Sequence, residues 1–208
     1  MEKKTYNFSE ISFKILNEIA DFKQVRNREI FKEWFNFKYE INEYDIEFLK
    51  KLIALNEYNI FDYSEFQFQL HFISPLLNKI YFYNKHFREW YQPEFLGTIN
   101  GIILKGKPDF MVASGELEIK KHSDPLRQLL AEMAVAIENN QGKEMRGVYN
   151  IGKYWNFVVL EKIGEFKYQY HESESFDALK INDLKKIFIN LKAVKHKYCN
   201  LISNVNEE

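Results

Sequence analysis

The sequence contains a single cysteine, Cys199, so an intrachain disulfide is excluded and a disulfide-stapled secreted scaffold with it. Its four prolines and eight glycines are too few for a collagen-like or low-complexity chain. No apolar run approaches the roughly 18 residues of a membrane span, and the N-terminus lacks an apolar segment of signal-peptide length. These absences predict a cytoplasmic protein that is neither secreted nor embedded in a membrane.

The chain also lacks an excess of charge of either sign, because its formal net charge is -1 at pH 7. No basic field covers the whole protein, so any contact with nucleic acid has to be local. Hydrophobic residues make up 46% and charged residues 28%, which is close to the average globular protein and excludes a long disordered chain. The 208 residues suffice for one domain with a buried core but are short for two.

Apolar residues at helical spacing occur through the first part of the chain, and we interpret residues 1–60 as an N-terminal helical extension. Residues 61–208 are predicted to form one compact domain. Its first helix begins after Ser64, where Gln67 three residues later completes a capping box and Glu65 occupies the first turn.

Short apolar bursts broken by Gly, Pro and Asn predict strands in the middle of the chain. A strongly periodic helix interrupts them, with Asp124 as N-cap and Pro125 in the first helical position. The central order is helix, three strands, helix, and two or three strands, before a Lys-rich helix from about 176 to 202. This order predicts an α/β fold in which helices flank a mixed sheet.

One predicted β-hairpin, in the segment "GKPDFMVASGELEIKK", carries ionisable groups on one of its faces. If Ser114 and Gly115 form the turn, Asp109, Glu118 and Lys120 all project from the same side of the two strands. The apolar side chains between them project from the other side and can enter the core. A three-residue loop would reverse this parity and separate the three groups.

Two carboxylates in a small space repel each other unless a proton or a cation lies between them. Oxygen ligands suit Mg²⁺ or Mn²⁺, so Asp109 and Glu118 are candidate metal ligands. Such an ion polarises a phosphoryl group and lowers the pKa of a bound water. Lys120 beside it would orient or deprotonate that water and stabilise the pentavalent oxyanion. The pattern favours hydrolysis of a phosphodiester.

A simpler explanation for these three residues is an exposed strand face with a cross-strand ion pair, which is common and contributes little stability. An acid-x-Lys tripeptide occurs five times in the sequence, including Glu165 to Lys167, so the tripeptide has no weight by itself. What distinguishes Glu118 to Lys120 is the predicted register with Asp109.

The same residues resemble the PD-(D/E)XK nuclease superfamily, whose members have the restriction-endonuclease-like fold. Pro108-Asp109 matches the "PD" of its motif, and Glu118-Ile119-Lys120 matches the "(D/E)XK" at an ordinary spacing. The resemblance implies a nuclease in which the Asp and the Glu bind Mg²⁺ or Mn²⁺ and the Lys assists attack on the phosphate. The implied substrate is nucleic acid, with DNA expected in preference to RNA.

The resemblance covers about residues 63–161 and implies two further site residues on helices. An acid on the preceding helix, matched by Glu65, would be a third metal ligand, and a Gln after the Lys is matched by Gln128. A homodimer is expected where this fold cuts both strands of a duplex. A role in restriction, phage defence or repair rests on analogy alone.

Both helix residues also have structural explanations. An acid such as Glu65 in the first turn of a helix is favoured by the helix dipole. Gln128 lies opposite the leucine stripe of its helix, on a face shared with Ala131, Glu132 and Val135, and Glu132 is expected to lie in solvent.

Two other functions stay open. One is a non-catalytic module of the same fold that binds nucleic acid or a partner protein, which would not require the complete set of two acids and a lysine. The other is a metal-dependent phosphohydrolase acting on nucleotides, which the lack of a glycine-rich phosphate loop disfavours.

Overall fold

The structure is a computed structural model that describes residues 4–83, 88–113 and 125–199. These residues form helices and mixed β-sheets, which confirms the predicted α/β class. The α-helices are α1 (Phe13–Ile19), α2 (Lys32–Phe35), α3 (Glu43–Asn56), α4 (Glu65–Phe68), α5 (Ser74–Ile80), α6 (Pro125–Asn139) and α7 (Ile181–Val194). The strands are β1 (Thr5–Asn7), β2 (Asp21–Gln24), β3 (Arg88–Tyr91), β4 (Phe95–Ile99), β5 (Ile102–Gly106), β6 (Phe110–Ala113), β7 (Glu144–Ile151), β8 (Tyr154–Gly164), β9 (Lys167–Glu172) and β10 (Phe176–Asp177). Within the described ranges, no helix has the length and apolar character that crossing a bilayer requires.

The contacts within the chain divide it into two compact units. Unit 1 takes its described residues from Met1–Ile30, Glu89–Tyr149 and Phe157–Ser173, and unit 2 from Phe31–Arg88, Asn150–Asn156 and Glu174–Glu208. The predicted boundary at residue 60 falls inside unit 2, and the first 60 residues contribute to both units.

The prediction that residues 1–60 are helical is wrong at two short strands. β1 runs parallel to β5, and β2 runs parallel to β9, so both strands receive their hydrogen bonds from segments far along the chain. Pairing between distant segments leaves little trace in local periodicity, which is why the apolar spacing did not reveal it.

Unit 1 contains two mixed sheets and one two-stranded ribbon. The first sheet has the order β1-β5-β4, with β4 antiparallel to β5. In the second, β7 pairs with β8, β8 is antiparallel to β9, and β2 lies beside β9. The ribbon consists of β3 and β6.

Helix α6 lies at the centre of unit 1, and it is buried on more than one side. Leu130 and Met133 of the predicted apolar stripe are buried, but so are Ala131 and Val135 on the opposite side. These residues belong to one core cluster with side chains from both sheets, such as Leu104 of β5 and Val158 of β8. The helix is therefore enclosed by the two sheets rather than laid on one of them.

Small residues in the strands let the helix approach this closely. At Gly97 of β4, an added Cβ would lie only 2.4 Å from Cγ1 of Val135, and at Gly147 of β7 it would lie 2.7 Å from Sδ of Met133. Both distances are well inside van der Waals contact, so neither strand tolerates a side chain here without movement.

We expect Gly97→Ala to lower the free energy of unfolding by roughly 1 to 3 kcal/mol, because the new methyl group overpacks the core against Val135. Gly142→Ala is the matched control, since the nearest atom to its added Cβ lies 3.8 Å away. Urea denaturation of both variants measures the difference. Equal stabilities would contradict the close approach of α6 to β4.

Unit 2 is mainly helical. Trp34, Leu49, Leu76 and Phe188 are buried in it, and Nε1 of Trp34 donates a 2.8 Å hydrogen bond to the carbonyl of Asn190. In this unit β10 pairs with the first residues of β8. The predicted helix from about 176 to 202 begins later than expected, at α7, because its first two residues form β10.

The predicted capping box at the start of α4 is confirmed. Oγ of Ser64 accepts from the backbone N–H of Gln67 at 3.2 Å, and the Gln67 side chain accepts from the backbone N–H of Ser64 at 2.9 Å. Glu65 is accordingly the first residue of α4.

Candidate active site

Asp109 precedes β6 directly and is exposed in unit 1. Gln92, which follows β3, donates two hydrogen bonds to Asp109. Its backbone N–H donates to the Asp109 carbonyl at 3.1 Å, and its Nε2 donates to Oδ1 of Asp109 at 3.3 Å. Gln92 has φ +52°, which is uncommon for a residue other than glycine. The ribbon of β3 and β6 therefore fixes both the backbone and one carboxylate oxygen of Asp109.

The two residues before Asp109 are buried. Lys107 is only 7% exposed, and its Nζ lies 3.8 Å from Oε1 of Glu94. Pro108 is buried beside it. A buried segment therefore leads directly into Asp109, whose side chain is exposed.

Gln128 and Glu132 face each other one helical turn apart on α6. Nε2 of Gln128 donates to Oε1 of Glu132 at 2.8 Å, as the i, i+4 spacing allows. Glu132 is 8% exposed, so the prediction that it lies in solvent is wrong. The reason is the position of α6 between two sheets, which buries the side opposite the apolar stripe as well.

Burial raises the pKa of the Glu132 carboxyl to about 8. The hydrogen bond from Gln128 opposes this shift, and the negative charge of Asp109 adds to it. Glu132 is therefore a largely neutral acid near neutral pH.

The second arm of the predicted hairpin lies outside the described residues. Glu118 and Lys120 belong to this arm. The turn residues Ser114 and Gly115 and the expected N-cap Asp124 also lie outside the described residues. The described partner of β6 is β3. The shared face of Asp109, Glu118 and Lys120 therefore stays a prediction.

Glu65 belongs to unit 2, whereas Asp109, Gln128 and Glu132 belong to unit 1. It is exposed at the start of α4, where the capping box and the helix dipole account for an acid. The structure thus pairs Gln128 with Glu132 on unit 1, and local helix chemistry explains Glu65. Its predicted metal role stays a prediction.

The comparisons with known proteins return nothing. Neither the family models, nor the curated proteins, nor the solved structures include a match to this chain. The residues themselves are therefore the whole basis for a functional conclusion.

The described residues do not by themselves form a site for the predicted ion. Among the described residues, no three His, Cys, Asp or Glu side chains gather closely enough to hold a metal. Asp109 has an exposed carboxylate, Glu132 is a buried acid on the same unit, and Glu118 would supply a further carboxylate. Carboxylate oxygens are the ligands that Mg²⁺ and Mn²⁺ favour. The amide of Gln128 keeps one of these carboxyl groups oriented.

Sequence reasoning missed Gln92 and Glu132. Gln92 reaches Asp109 only through the pairing of β3 with β6, for which the sequence has no local signal. The sequence does contain a signal for the burial of Glu132, because its neighbours Ala131, Ala134 and Val135 are all apolar. An acid surrounded by apolar residues on a helix face indicates a buried carboxyl more than a solvated one.

Unit 2 contains a separate cavity of about 350 Å³ between α3 and the start of α5. Two of its polar side chains make hydrogen bonds within the fold: Asn56 donates to the carbonyl of Leu52 at 2.8 Å, and the Tyr63 hydroxyl donates to Oδ1 of Asn56 at 3.0 Å. The other lining side chains are mainly apolar, including Phe48, Leu52 and Leu55. The residues that line this cavity include no Asp or Glu.

Proposed function

We propose that this protein is a metal-dependent nuclease that hydrolyses phosphodiester bonds of nucleic acid, with DNA preferred over RNA, on a restriction-endonuclease-like fold. One observation carries the proposal: Asp109, the acid of the "PD" pair, is exposed and is held by two hydrogen bonds from Gln92, and the same unit contains the buried acid Glu132. A buried acid costs free energy, and such residues are found preferentially at functional sites.

In the proposed site, Asp109 and Glu118 would hold Mg²⁺ or Mn²⁺, which would polarise the phosphoryl group and lower the pKa of a bound water. Lys120 orients the attacking water and stabilises the negative charge that develops on the phosphoryl oxygens. Gln92 keeps Asp109 in place from the neighbouring strand, and Gln128 keeps the Glu132 carboxyl in place on α6.

The reaction joins the oxygen of the water to phosphorus while the bond from phosphorus to one sugar oxygen breaks. The products are a phosphate monoester end and a hydroxyl end, and the proton of the water leaves through the basic groups beside it. The reaction requires little covalent chemistry from the protein. Correct placement of the charged groups therefore supplies most of the rate enhancement.

The experiment that tests this function incubates the purified full chain with single- and double-stranded DNA and RNA, each in Mg²⁺, in Mn²⁺ and in EDTA. We expect cleavage in either metal, faster for DNA than for RNA, and none in EDTA. Binding of DNA without cleavage in any metal would contradict the proposal and favour the non-catalytic module. Light scattering in the presence of duplex DNA measures whether the active form is the expected homodimer.

A further inference from the structure

The cavity in unit 2 is lined by two polar side chains that the fold does not use. Lys51 and His71 both line it, and both are exposed. Within the described part of the chain, neither the Lys51 ammonium nor the His71 imidazole makes a hydrogen bond or an ion pair. The His71 ring contacts the ring of Tyr63, with 5.5 Å between their centroids. The nitrogens of Lys51 and His71 are therefore the polar groups of this cavity that a ligand can use.

The walls beside these two groups are apolar. Phe48, Leu52 and Leu55 follow one another at helical spacing on α3, and Pro75 of α5 also lines the cavity. Leu52 is only 5% exposed. Small-molecule sites combine apolar walls with a few polar groups and have volumes from about 300 Å³ upward. A volume of about 350 Å³ lies at the lower end of this range, so the cavity suits a small molecule rather than a segment of protein.

The charges around the cavity favour an anion. The described residues that line it carry no negative charge. Asp45, the buried acid of α3, is paired with Nζ of Lys79 at 2.9 Å. Glu47, one helical turn before Lys51, lies outside the lining, and no salt bridge joins the two within the described residues. An ammonium and an imidazole at the rim of an apolar cavity are complementary to a carboxylate or a phosphate group.

The backbone that carries His71 departs from α-helical geometry. Gln69–Ile73 forms a π-helical turn between α4 and α5, in which the backbone N–H of Ser74 donates to the carbonyl of Gln69, five residues earlier. Such turns are rare, and they occur frequently at functional sites. His71 lies in the middle of this turn, so the backbone geometry and the cavity independently mark the same place.

We propose that this cavity binds a small amphipathic anion. The apolar body of the ligand packs against Phe48, Leu52 and Leu55, and its carboxylate or phosphate head accepts hydrogen bonds from Lys51 and His71. All of these residues belong to unit 2, whereas Asp109 of the proposed metal site belongs to unit 1. The inference is thus independent of the proposed nuclease function.

The test measures binding to the purified full chain by calorimetry, with octanoate, octyl phosphate and the neutral 1-octanol as probes. We expect both anions to bind at least about tenfold more tightly than octanol, because charge-assisted hydrogen bonds form only with the anions. The ratio of the two anion affinities identifies the preferred head group. A rise in melting temperature on adding octanoate gives a second readout.

Paired variants locate the site. Lys51→Met should weaken octanoate binding roughly tenfold, whereas Lys50→Met, at an exposed position outside the lining, should change it by less than about twofold. Leu55→Glu should abolish binding, because it places a like charge beside the anion. Ala54→Glu adds the same charge at an exposed position outside the cavity and should bind as the wild type does. His71→Phe, which keeps a ring but loses its N–H, should weaken binding as Lys51→Met does.

Three results would overturn the proposal. The first is a wild type that binds neither anion, or that binds octanol as tightly as octanoate. The second is wild-type affinity in both Lys51→Met and Leu55→Glu, because the anion would then bind elsewhere. The third is a dimer in light scattering that Leu55→Glu dissociates, which would assign the cavity to a second copy of the chain. None of these results affects the cleavage assay, so the two proposals fail separately.

Discussion

Replacing Asp109 by Asn is expected to slow phosphodiester cleavage by roughly a thousandfold, which corresponds to about 4 kcal/mol of lost transition-state stabilisation. Asn keeps the size of the side chain and can still accept a hydrogen bond from Gln92, so the fold should be unaffected. What it loses is the negative charge that holds the metal ion. Lys120→Met should slow cleavage by a similar factor, because the group that orients the water and balances the phosphoryl charge is removed.

The chain offers a matched control for both variants. Glu165 and Lys167 form the same acid-x-Lys tripeptide at the turn between β8 and β9, where both side chains are exposed. Glu165→Gln and Lys167→Met should each retain the wild-type rate within about twofold, as surface changes do. Single-turnover rates on one labelled duplex measure all four variants. Wild-type cleavage rates in both Asp109→Asn and Lys120→Met would contradict the proposed active site.

Replacing Glu132 by Gln is expected to raise the stability of the metal-free protein at high pH. Burial holds the pKa of this carboxyl at about 8 in the folded chain, against 4.5 as the ordinary value. The folded state therefore binds a proton between these values while the unfolded state does not. As pH rises through this window the wild type loses stability, and the loss is complete above about pH 8.

Glu132→Gln removes this loss because its amide does not ionise. At pH 5 the two proteins should have similar stability, and at pH 9 the variant should be more stable by roughly 2 to 5 kcal/mol. Urea denaturation in EDTA at pH 5, 7 and 9 measures the difference, with Glu165→Gln as an exposed carboxyl control. Parallel curves for wild type and Glu132→Gln across this range would contradict a buried, neutral Glu132.

Helix α6 shows what could be predicted from the sequence of this chain. Pro125 marks its first residue, and a leucine-rich stripe at helical spacing marks its core side, so its existence and start follow from local rules. The capping box at Ser64 is a similar case, since its two hydrogen bonds join residues three apart. The strands β4, β5, β7, β8 and β9 were likewise expected from short apolar bursts between turn residues.

The errors share one cause, which is contact between distant segments. β1 and β2 are strands because β5 and β9 lie beside them, and three or four residues are too few to show a period. Glu132 is buried because a second sheet covers the far side of α6, which a helical wheel does not reveal. Gln92 orients Asp109 through a strand pairing that spans 17 residues of sequence.

In the candidate site, too, some features follow from the local sequence and others depend on contacts between distant segments. The residue types and their spacing predicted roles for Asp109 and Gln128, and in the structure Asp109 accepts hydrogen bonds from Gln92 while Gln128 donates to Glu132. The common face of Asp109, Glu118 and Lys120 stays a prediction, because it depends on a register that local sequence fixes only through the length of one turn.

Crystals of the protein grown with Mn²⁺, with anomalous diffraction recorded at the manganese edge, test the shared metal site most directly. We predict one strong peak within about 2.5 Å of carboxylate oxygens from both Asp109 and Glu118, with Lys120 on the same side of the strands. A peak elsewhere on the chain, or a Glu118 side chain that projects from the opposite face to Asp109, would contradict the account.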